Sequence, residues 1–340
     1  MYRNFAPLRR KGLFSYVLVA QLCFVLALFL FRPNFSTARY VERGVNKRGG
    51  WTYEGGAVQV YPAHTVHIVT AWCSVTPDSP AVSSLKSILL SNAQHAPKSG
   101  SPLAFHVFVD PATERAWREN APMFRELRAV LAQKRERYSL RMLSISDVDD
   151  MVQLGLEAEI AGGAVGEWKQ AIAALESTRY RCNSARLLSP VILHDLERYI
   201  YVDYDTITLC DVQRLASEFE RFPASAALGM ASEFPSPNVK GGWYSRHHLP
   251  TGAPNGLNSG VILFNLRALR TVFGSLRAYM RALVDTISAG TYAPYTAGRY
   301  SMSMPDQDVL NVLSLKYSGL VYVLSPSWNT VRCVALRFVS

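Results

Sequence analysis

Residues 198–212 read RYIYVDYDTITLCDV, and this stretch decides the fold. Its first half is a short run of aromatic and β-branched residues, which predicts a buried strand. The strand runs into Asp203 and Asp205, which the two-residue repeat of an extended chain would place on one side. Two carboxylates that face one point repel each other unless a cation lies between them, and hard oxygen ligands suit Mn²⁺ or Mg²⁺. We therefore predict a metal–diphosphate site at the carboxyl end of a strand, where open α/β sheets bind ligands; the alternative interpretation is a solvated turn.

The segments that precede this strand alternate between strand and helix patterns. Residues 66–71, 103–109 and 138–145 are strand-like apolar runs, whereas residues 81–93 and 116–134 carry apolar residues at helical spacing. A β-α-β-α-β succession argues for a parallel sheet with helices on both faces. The sequence thus predicts an α/β fold with a Rossmann-type, mostly parallel sheet.

The chain after the two aspartates supplies further polar groups next to predicted strands. Trp243 and Tyr244 lie in a long loop, where they either stack on a sugar ring or pack the loop onto the core. An Asn-Ser-Gly segment at residues 258–260 precedes a predicted strand, and its small residues let the backbone and the amide approach a ligand closely. Asp306 lies near the start of a predicted helix, as a capping residue would, although a cap does not explain the whole Asp-Gln-Asp cluster at residues 306–308.

The amino-terminal region predicts a membrane anchor. Residues 13–31 (LFSYVLVAQLCFVLALFLF) contain no charge, and about 20 apolar residues span a bilayer as a helix. The run stays bulky to its end and lacks the small-residue cleavage site of a signal peptide. Basic residues precede it, which keeps the amino terminus in the cytosol. We therefore expect a cytosolic tail at residues 1–12, a single-pass type II anchor at 13–31, a flexible luminal stem at 32–64 and a globular domain at 65–340.

Composition narrows the class of partner. The chain has 340 residues, 49% of them hydrophobic and 18% charged, and a formal net charge of +10. There is no Lys/Arg run with interleaved aromatic residues, so a nucleic-acid partner is not expected. The five cysteines lack the C-x-x-C spacing of zinc sites. Four of them lie beyond the apolar segment, where an oxidising lumen would allow one or two disulfides.

Three segments, taken in order, resemble retaining glycosyltransferases of family eight. They are YVDYDTITLCDV, LNSGVILFNL and PDQDVLN. The sequence is still more similar to glucoside xylosyltransferases, because it also carries GWYSR at 242–246, Cys182 with Arg186 and Pro190, and Ser-Trp-Asn at 327–329. The resemblance covers roughly residues 66–332 and implies a GT-A fold.

The resemblance also implies a role for each matching position. Asp203 and Asp205 would hold Mn²⁺ or Mg²⁺ against the diphosphate of a UDP-sugar, and Arg186 would contact phosphate or the donor sugar. Asp306 and Gln307 would act as stabilisers near the anomeric carbon. The implied donor-binding residues are Val69, Thr70, Ala71, Arg186, Asp203, Tyr204, Asp205, Asn258, Ser259 and Gly260, and the implied acceptor-side residues are Trp243 and Tyr244.

The reaction implied by the resemblance moves xylose from UDP-xylose to glucose that is O-linked to EGF-like repeats of glycoproteins, in an α-1,3 linkage. Family members retain the anomeric configuration, and a same-face displacement, in which a UDP oxygen accepts the proton of the acceptor, accounts for this without a protein nucleophile. The enzyme would lie in the ER or Golgi membrane with a luminal catalytic domain. Two alternatives remain: the same fold with another UDP-sugar or acceptor, and a catalytically inactive luminal binding module.

One feature of the family has no match here. Family members continue past the Trp-Asn segment to a His-Gly element that supplies a third metal ligand, whereas this sequence stops at Ser340. His247 and His248 do not lie in the matching place. Since the loss of a ligand or its support weakens metal affinity about 10–100-fold, we expect a weaker metal site and reduced or absent activity.

Overall fold

The computed structural model describes residues 61–62, 64–73, 75–77, 79–95, 100–144, 183–233, 256–288 and 305–329, which all lie within the unit Arg43–Asn329. The predicted tail, anchor and most of the stem lie outside these residues, as do Trp243 and Tyr244. Across the ranges that the structure describes, no helix combines the length and the apolar content needed to cross a membrane.

Seven strands form one sheet in the order β3-β2-β1-β4-β6-β5-β7. Strand β6 is antiparallel to both of its neighbours, β4 and β5, and the other neighbouring pairs are parallel. The mostly parallel sheet predicted from the sequence is therefore confirmed, with one reversed strand. The strands are β1 (Val66–Trp72), β2 (Leu103–Val109), β3 (Tyr138–Ser144), β4 (Arg198–Val202), β5 (Leu228–Ser232), β6 (Leu257–Asn265) and β7 (Val321–Leu324).

The sequence predicts one helix over 116–134 and another over 271–287, and the structure divides both segments. The segment 116–134 is interrupted around Asn120, which has a positive φ of 54°, and Pro122 then begins a 3₁₀ turn. The segment 271–287 is interrupted at Gly274, whose φ of 81° ends a helix in the left-handed conformation that glycine adopts without strain. The helices are α1 (Pro80–His95), α2 (Pro111–Arg118), α3 (Arg125–Gln133), α4 (Asn183–Ile192), α5 (Val212–Ala216), α6 (Leu266–Phe273), α7 (Leu276–Ser288) and α8 (Pro305–Lys316).

The central strand β4 joins two hydrophobic cores, one on each face of the sheet. Tyr199 and Tyr201 pack with residues of α4, α6, α7 and α8, whereas Ile200 and Val202 pack with residues of α1 and α3. This alternation follows from the two-residue period of a strand. Because both faces are covered, residues 199–202 of β4 are apolar and buried, and the first charged residue on the carboxyl side is Asp203, at the edge of the sheet.

Two of the cysteines are described, and they differ in state. Cys73, just after β1, is disulfide-bonded, which agrees with the expected disulfide chemistry. Cys210, in the segment between β4 and α5, is a free thiol. Burial raises the pKa of the Cys210 thiol, so this group is mainly protonated and weakly nucleophilic at neutral pH.

Strands β1 and β2 carry a pair of histidines inside the fold. The ring nitrogens His67 Nδ1 and His106 Nε2 are 3.1 Å apart, and Tyr61 packs edge-on against His67 with 4.8 Å between ring centroids. Burial lowers the pKa of His67 to about 4, although Asp195 opposes the shift. Burial, together with the charges on His67 and Arg141, also lowers the pKa of His106. Both rings are therefore neutral in the folded protein at pH 7.

This pair predicts that the fold loses stability as the pH falls from about 6.5 towards 4. Unfolded histidine has a pKa of about 6.5, so in this window the unfolded chain binds protons that the folded chain does not, at about 1.4 kcal/mol per pH unit for each histidine. Urea unfolding midpoints measured between pH 4.5 and 7.5 should show this slope. A His67→Gln variant should lose roughly half of it, and an unchanged slope would contradict this origin.

Candidate functional site

The polar ends of several elements meet at one edge of the sheet. Strands β1, β4 and β5 point their carboxyl ends towards this edge, and because β6 runs the opposite way, its amino end arrives there too. The backbone N–H of Asp203, just after β4, donates to the carbonyl oxygen of Gly260 at 2.8 Å. The two predicted motifs that these residues represent are thus joined directly through the backbone.

A buried arginine holds this edge together. Arg186 of α4 is 5% exposed and donates to Asp203, to Asp306 at the start of α8, and to Ser259 Oγ of β6 at 2.5 Å. Its guanidinium carbon also lies 4.9 Å from the ring centroid of Tyr201. Arg186 therefore links three segments that are far apart in the sequence, and each of them was predicted to contribute to the site.

Pro190 helps to fix the position of Arg186. A proline has no N–H with which to bond the carbonyl of the residue four positions earlier, so the carbonyl of Arg186 lacks its helical donor. Ser189 Oγ donates to that carbonyl at 2.9 Å and lies 2.7 Å from the hydroxyl of Tyr199. The helix accordingly continues through Pro190 to Ile192 instead of breaking there, and its backbone is tied to β4.

The charges around Arg186 change the ionisation of the group. Burial raises the pKa of Asp203 to about 6; Arg186 opposes this rise, and the charges of Asp306 and Asp205 add to it. Burial alone would lower the pKa of Arg186, but the carboxylates of Asp203 and Asp306 outweigh burial and raise it. Arg186 is thus permanently cationic. A further positive charge beside Asp203 would stabilise the ionised form of its carboxylate, which burial disfavours.

A second network lies next to the first and consists of amides and one acid. Glu233, which follows β5, accepts from Asn258 Nδ2 at 2.9 Å and from Gln307 Nε2 at 3.3 Å. The amide oxygen of Gln307 accepts from the backbone N–H of Ser259 at 3.1 Å. The side-chain oxygen of Asn258 accepts from Asn329 Nδ2 at 2.5 Å. These bonds fix the side chains that the sequence suggested for sugar contacts.

Helix α8 is attached to β6 by a buried asparagine. Asn311 Oδ1 accepts from the backbone N–H of Leu257 at 2.8 Å, and its Nδ2 donates to the Leu257 carbonyl at 3.1 Å. A side chain that satisfies both polar groups of one backbone residue fixes the two elements in a single register. Gln307 and Asp306, about one turn earlier on the same helix, are thereby brought to the site.

Gly260 is tightly surrounded. A Cβ atom built on it would lie 3.1 Å from Asn258 Oδ1 and 3.3 Å from Asn329 Nδ2, closer than ordinary van der Waals contact. A side chain at this position would therefore have to displace the amide pair beside it. The close approach at Gly260 is thus to neighbouring amide side chains, and the predicted close approach of a ligand stays a prediction.

The predicted site residues differ in whether their side chains belong to the hydrogen-bonded groups at this edge of the sheet. Arg186, Asp203, Ser259 and Asp306 form the bonded cluster, and Asn258, Gly260 and Gln307 belong to the adjoining network. The side chains of Val69 and Ala71 lie in the core, so only their backbone can face a ligand. On the other face of β1, Thr70 is buried and its Oγ1 has no hydrogen-bond partner, which leaves one polar group to be satisfied.

The geometry around the two aspartates differs from our expectation. Residues 203–205 are not extended: they form a turn in which the N–H of Thr206 donates to the carbonyl of Asp203 at 3.1 Å. Asp203 is partly buried, whereas Tyr204 and Asp205 are exposed. The alternation rule failed here because β4 ends at Val202, one residue before the first acid.

Sequence reasoning missed Glu233 as a site residue. It lies directly after β5, which runs parallel to β4, so its position in the sheet is equivalent to that of Asp203. An acid directly after a second apolar strand was the available signal. It became meaningful only once the strand order was known.

The described residues fit a divalent cation in part. Asp203 and Asp205 offer hard oxygen ligands of the type that Mg²⁺ and Mn²⁺ prefer. Arg186 contacts Oδ1 of Asp203, whose side chain is 23% exposed. Within the described ranges, no group of three or more His, Cys, Asp and Glu residues has the arrangement of a metal site. The remaining ligands would have to come from the substrate, from water or from elsewhere in the chain.

The comparisons with known proteins agree with the resemblance found in the sequence. No family model matches the chain. Glucoside xylosyltransferase 1 of Gallus gallus is 31% identical over 150 residues, which cover 44% of this chain and 34% of that protein. The Mus musculus protein of the same name is 24% identical over 296 residues, which cover 86% of this chain and 62% of that protein. The predicted resemblance to glucoside xylosyltransferases is thus confirmed, while the chain spans about a third to three fifths of these relatives.

A solved structure supports the fold. The crystal structure of mouse xyloside xylosyltransferase 1 in its apo form superposes with a TM-score of 0.52 and 20% sequence identity, and the match covers 78% of this chain and 86% of that one. The identity is low, so this likeness concerns the fold alone. It confirms the predicted GT-A-like architecture, a mixed sheet flanked by helices.

Proposed function

We propose that this chain is a retaining glycosyltransferase that transfers xylose from UDP-xylose to O-linked glucose on EGF-like repeats, in an α-1,3 linkage. The observation that carries the proposal is the buried Arg186, bonded at one sheet edge to Asp203, Ser259 and Asp306. These residues come from three motifs whose order along the chain resembles that of glucoside xylosyltransferases. The similarity to such proteins, with 31% identity over 150 residues, supports the sugar and the acceptor.

The charge of the site supports a cation-dependent donor. One guanidinium, Arg186, faces the carboxylates of Asp203 and Asp306, with Asp205 and Glu233 nearby. This surplus of negative charge repels a diphosphate unless further positive charge is added. Mn²⁺ or Mg²⁺, held by Asp203 and Asp205 together with the diphosphate, would supply that charge and stabilise the leaving UDP.

The remaining residues would orient the sugar and the leaving group. The Asn258 amide and the backbone at Gly260 would contact hydroxyl groups of the donor sugar. Hydrogen bonds with Asn329 and Glu233 hold the Asn258 side chain in one orientation for this contact. Gln307, held by Glu233 and Ser259, would present its amide near the anomeric carbon. Asp306 is 3% exposed and would act chiefly by keeping Arg186 in position beside the diphosphate.

The reaction would proceed on one face of the sugar. The bond between the anomeric carbon and the UDP oxygen breaks, the acceptor hydroxyl forms the new bond from the same side, and the departing UDP oxygen takes the acceptor's proton. No protein nucleophile is required, so we assign none. Covalent trapping of xylose on Asp306 would contradict this assignment.

The cellular setting is part of the proposal and comes from the amino-terminal sequence. The charge-free residues 13–31, with basic residues before them, support a single-pass type II protein of the ER or Golgi membrane. The disulfide at Cys73 supports an oxidising compartment. A UDP-sugar donor and an EGF-like glycoprotein acceptor would meet the enzyme in the lumen.

Donor competition tests this function. The full chain, solubilised in a mild detergent with Mn²⁺, should transfer sugar from UDP-xylose to an EGF-like repeat that carries O-linked glucose. Transfer from UDP-glucose and UDP-galactose should be weaker, and the same repeat without glucose is the matched control acceptor. Preferred transfer of another sugar would assign a different donor to the fold. Binding of the glycosylated repeat without any nucleotide binding would instead indicate an inactive binding module.

A further inference from the structure

The pairing between β5 and β6 is irregular next to the candidate site. Met230 pairs with Ile262, whereas the next residue of β5, Ala231, pairs with Asn258. Residues 259–261 therefore bulge out of the ladder between these two strands. A bulge leaves backbone groups that the neighbouring strand does not bond. Since buried backbone groups are nearly always hydrogen-bonded, those of this bulge need other partners.

Two side-chain amides bond the N–H groups of the bulge. The N–H of Ser259 donates to Gln307 Oε1 at 3.1 Å, and the N–H of Gly260 donates to Asn258 Oδ1 at 2.8 Å. A backbone N–H can only donate, so these bonds decide which end of each amide is the oxygen. Each amide then needs an acceptor for its nitrogen end.

One oxygen of Glu233 is the acceptor for both amides. Asn258 Nδ2 donates to Glu233 Oε2 at 2.9 Å, and Gln307 Nε2 donates to the same oxygen at 3.3 Å. An ionised carboxylate can only accept, so the reversed orientation of either amide would place oxygen against oxygen at Glu233 and nitrogen against N–H at the bulge. The Glu233 carboxylate thus closes a hydrogen-bonded ring that starts and ends at neighbouring residues of β6.

This hydrogen-bonded ring adjoins the cluster around Arg186 but does not hold that cluster alone. Ser259 Oγ accepts from Arg186 at 2.5 Å and donates to Gln307 Oε1 at 3.3 Å. Arg186 also donates to Asp203 and Asp306, and these bonds do not involve Glu233. A change at Glu233 would therefore disturb the amides assigned to the donor sugar more than the groups assigned to the diphosphate.

We propose that Glu233 is a positioning residue for the donor sugar, because it holds the amides of Asn258 and Gln307 in the orientation that recognises the sugar. This inference rests on the proposed glycosyltransferase function, which places both amides beside that sugar. The acceptor oxygen of Glu233, and not its charge, supports sugar binding. Glu233→Gln keeps an oxygen that can accept both hydrogen bonds, whereas Glu233→Met keeps the length of the side chain and removes the acceptor.

Calorimetric titrations of the detergent-solubilised full chain with UDP and with UDP-xylose, both in the presence of Mn²⁺, test this role. The ratio of the two affinities cancels any effect of the lost charge on the diphosphate, which both ligands carry. Glu233→Met should lower the affinity for UDP-xylose relative to UDP about tenfold, since hydrogen bonds to the sugar are lost. Glu233→Gln should keep this ratio within about threefold of its value in the unmodified chain.

A matched control and a second variant complete the test. Glu119→Met changes an exposed acid directly after α2 and should leave the ratio unchanged. If Glu233→Met does not fold, Glu233→Asp, whose shorter side chain withdraws the acceptor, should lower the ratio in the same direction.

The outcomes separate this inference from the function on which it rests. The positioning role is overturned if the loss of the Glu233 acceptor weakens UDP and UDP-xylose in parallel or weakens neither. It is also overturned if Glu233→Gln is as defective as Glu233→Met, because the effect would then come from the charge. Absence of Mn²⁺-dependent UDP binding in the unmodified chain would instead overturn the proposed function, and this inference with it.

Discussion

Replacing Asp203 by asparagine is expected to lower both UDP-sugar transfer and Mn²⁺-dependent UDP binding by about 100-fold or more. Asparagine keeps the shape and an acceptor for Arg186, but it removes the charge that would hold a divalent cation. Its effect on stability should be small, because burial already raises the pKa of Asp203 to about 6, so ionisation of this acid opposes folding.

Calorimetric titration of UDP in the presence and absence of Mn²⁺ measures this effect. Asp285→Asn, which changes an exposed acid on α7, is the matched control and should bind UDP as the unmodified chain does. If Asp203→Asn retained metal-dependent UDP binding, the assignment of this carboxylate to the donor site would be wrong. The proposed metal role of the neighbouring Asp205 would then need separate support.

Replacing Arg186 by methionine is expected to destabilise the fold by about 3–5 kcal/mol, because it leaves two carboxylates in a buried environment without their cation. It should also abolish transfer. By contrast, Arg198→Met, which breaks an ion pair whose partners are 43% and 75% exposed, should cost less than about 1 kcal/mol. Urea unfolding of the two variants at pH 7.5 gives the comparison.

The pH dependence of the Arg186→Met defect distinguishes charge burial from lost packing. Burial already raises the folded-state pKa of Asp203 to about 6, and Arg186 opposes this rise, so without the guanidinium the pKa of Asp203 lies still further above its unfolded value. The folded variant then binds protons that the unfolded chain does not, so its deficit should shrink as the pH falls from 7.5 to 5. Adding Asp306→Asn to Arg186→Met should recover part of the stability at pH 7.5. A deficit that is independent of pH would point to packing alone.

The strands were predictable where burial on both faces makes them continuously apolar. Residues 103–109, LAFHVFV, were predicted with the bounds that β2 has, because every residue of this strand is buried. Strand β6 begins at Leu257, four residues before the predicted start, since Leu257 and Asn258 pair with β5 although the polarity of Asn258 is typical of a loop. A local sequence pattern reflects whether side chains are buried in the core or not. The amino end of β6 is polar because its residues form part of the candidate site.

The site residues could be identified by type from the sequence, but their connections could not. Arg186 was expected to contact a phosphate or the donor sugar, and nothing in its local pattern indicates that Asp203 and Asp306 both bond to it. That arrangement depends on the reversed direction of β6, which brings Ser259 and α8 to the same edge as β4. Glu233 was overlooked for the same reason, because its place beside Gln307 follows from strand order and not from neighbouring residues.

The hydrogen bond between the N–H of Glu233 and the carbonyl of Gly256, at 2.8 Å, closes the chain on either side of residues 234–255. Both attachment points lie directly next to strands of the sheet, Glu233 after β5 and Gly256 before β6. The entropy of closing a chain segment grows only slowly with its length, so the intervening residues can be exchanged or lengthened while these attachment points stay the same. Changes in the length or sequence of this segment therefore need not alter the strand ends that carry Asp203 and Glu233.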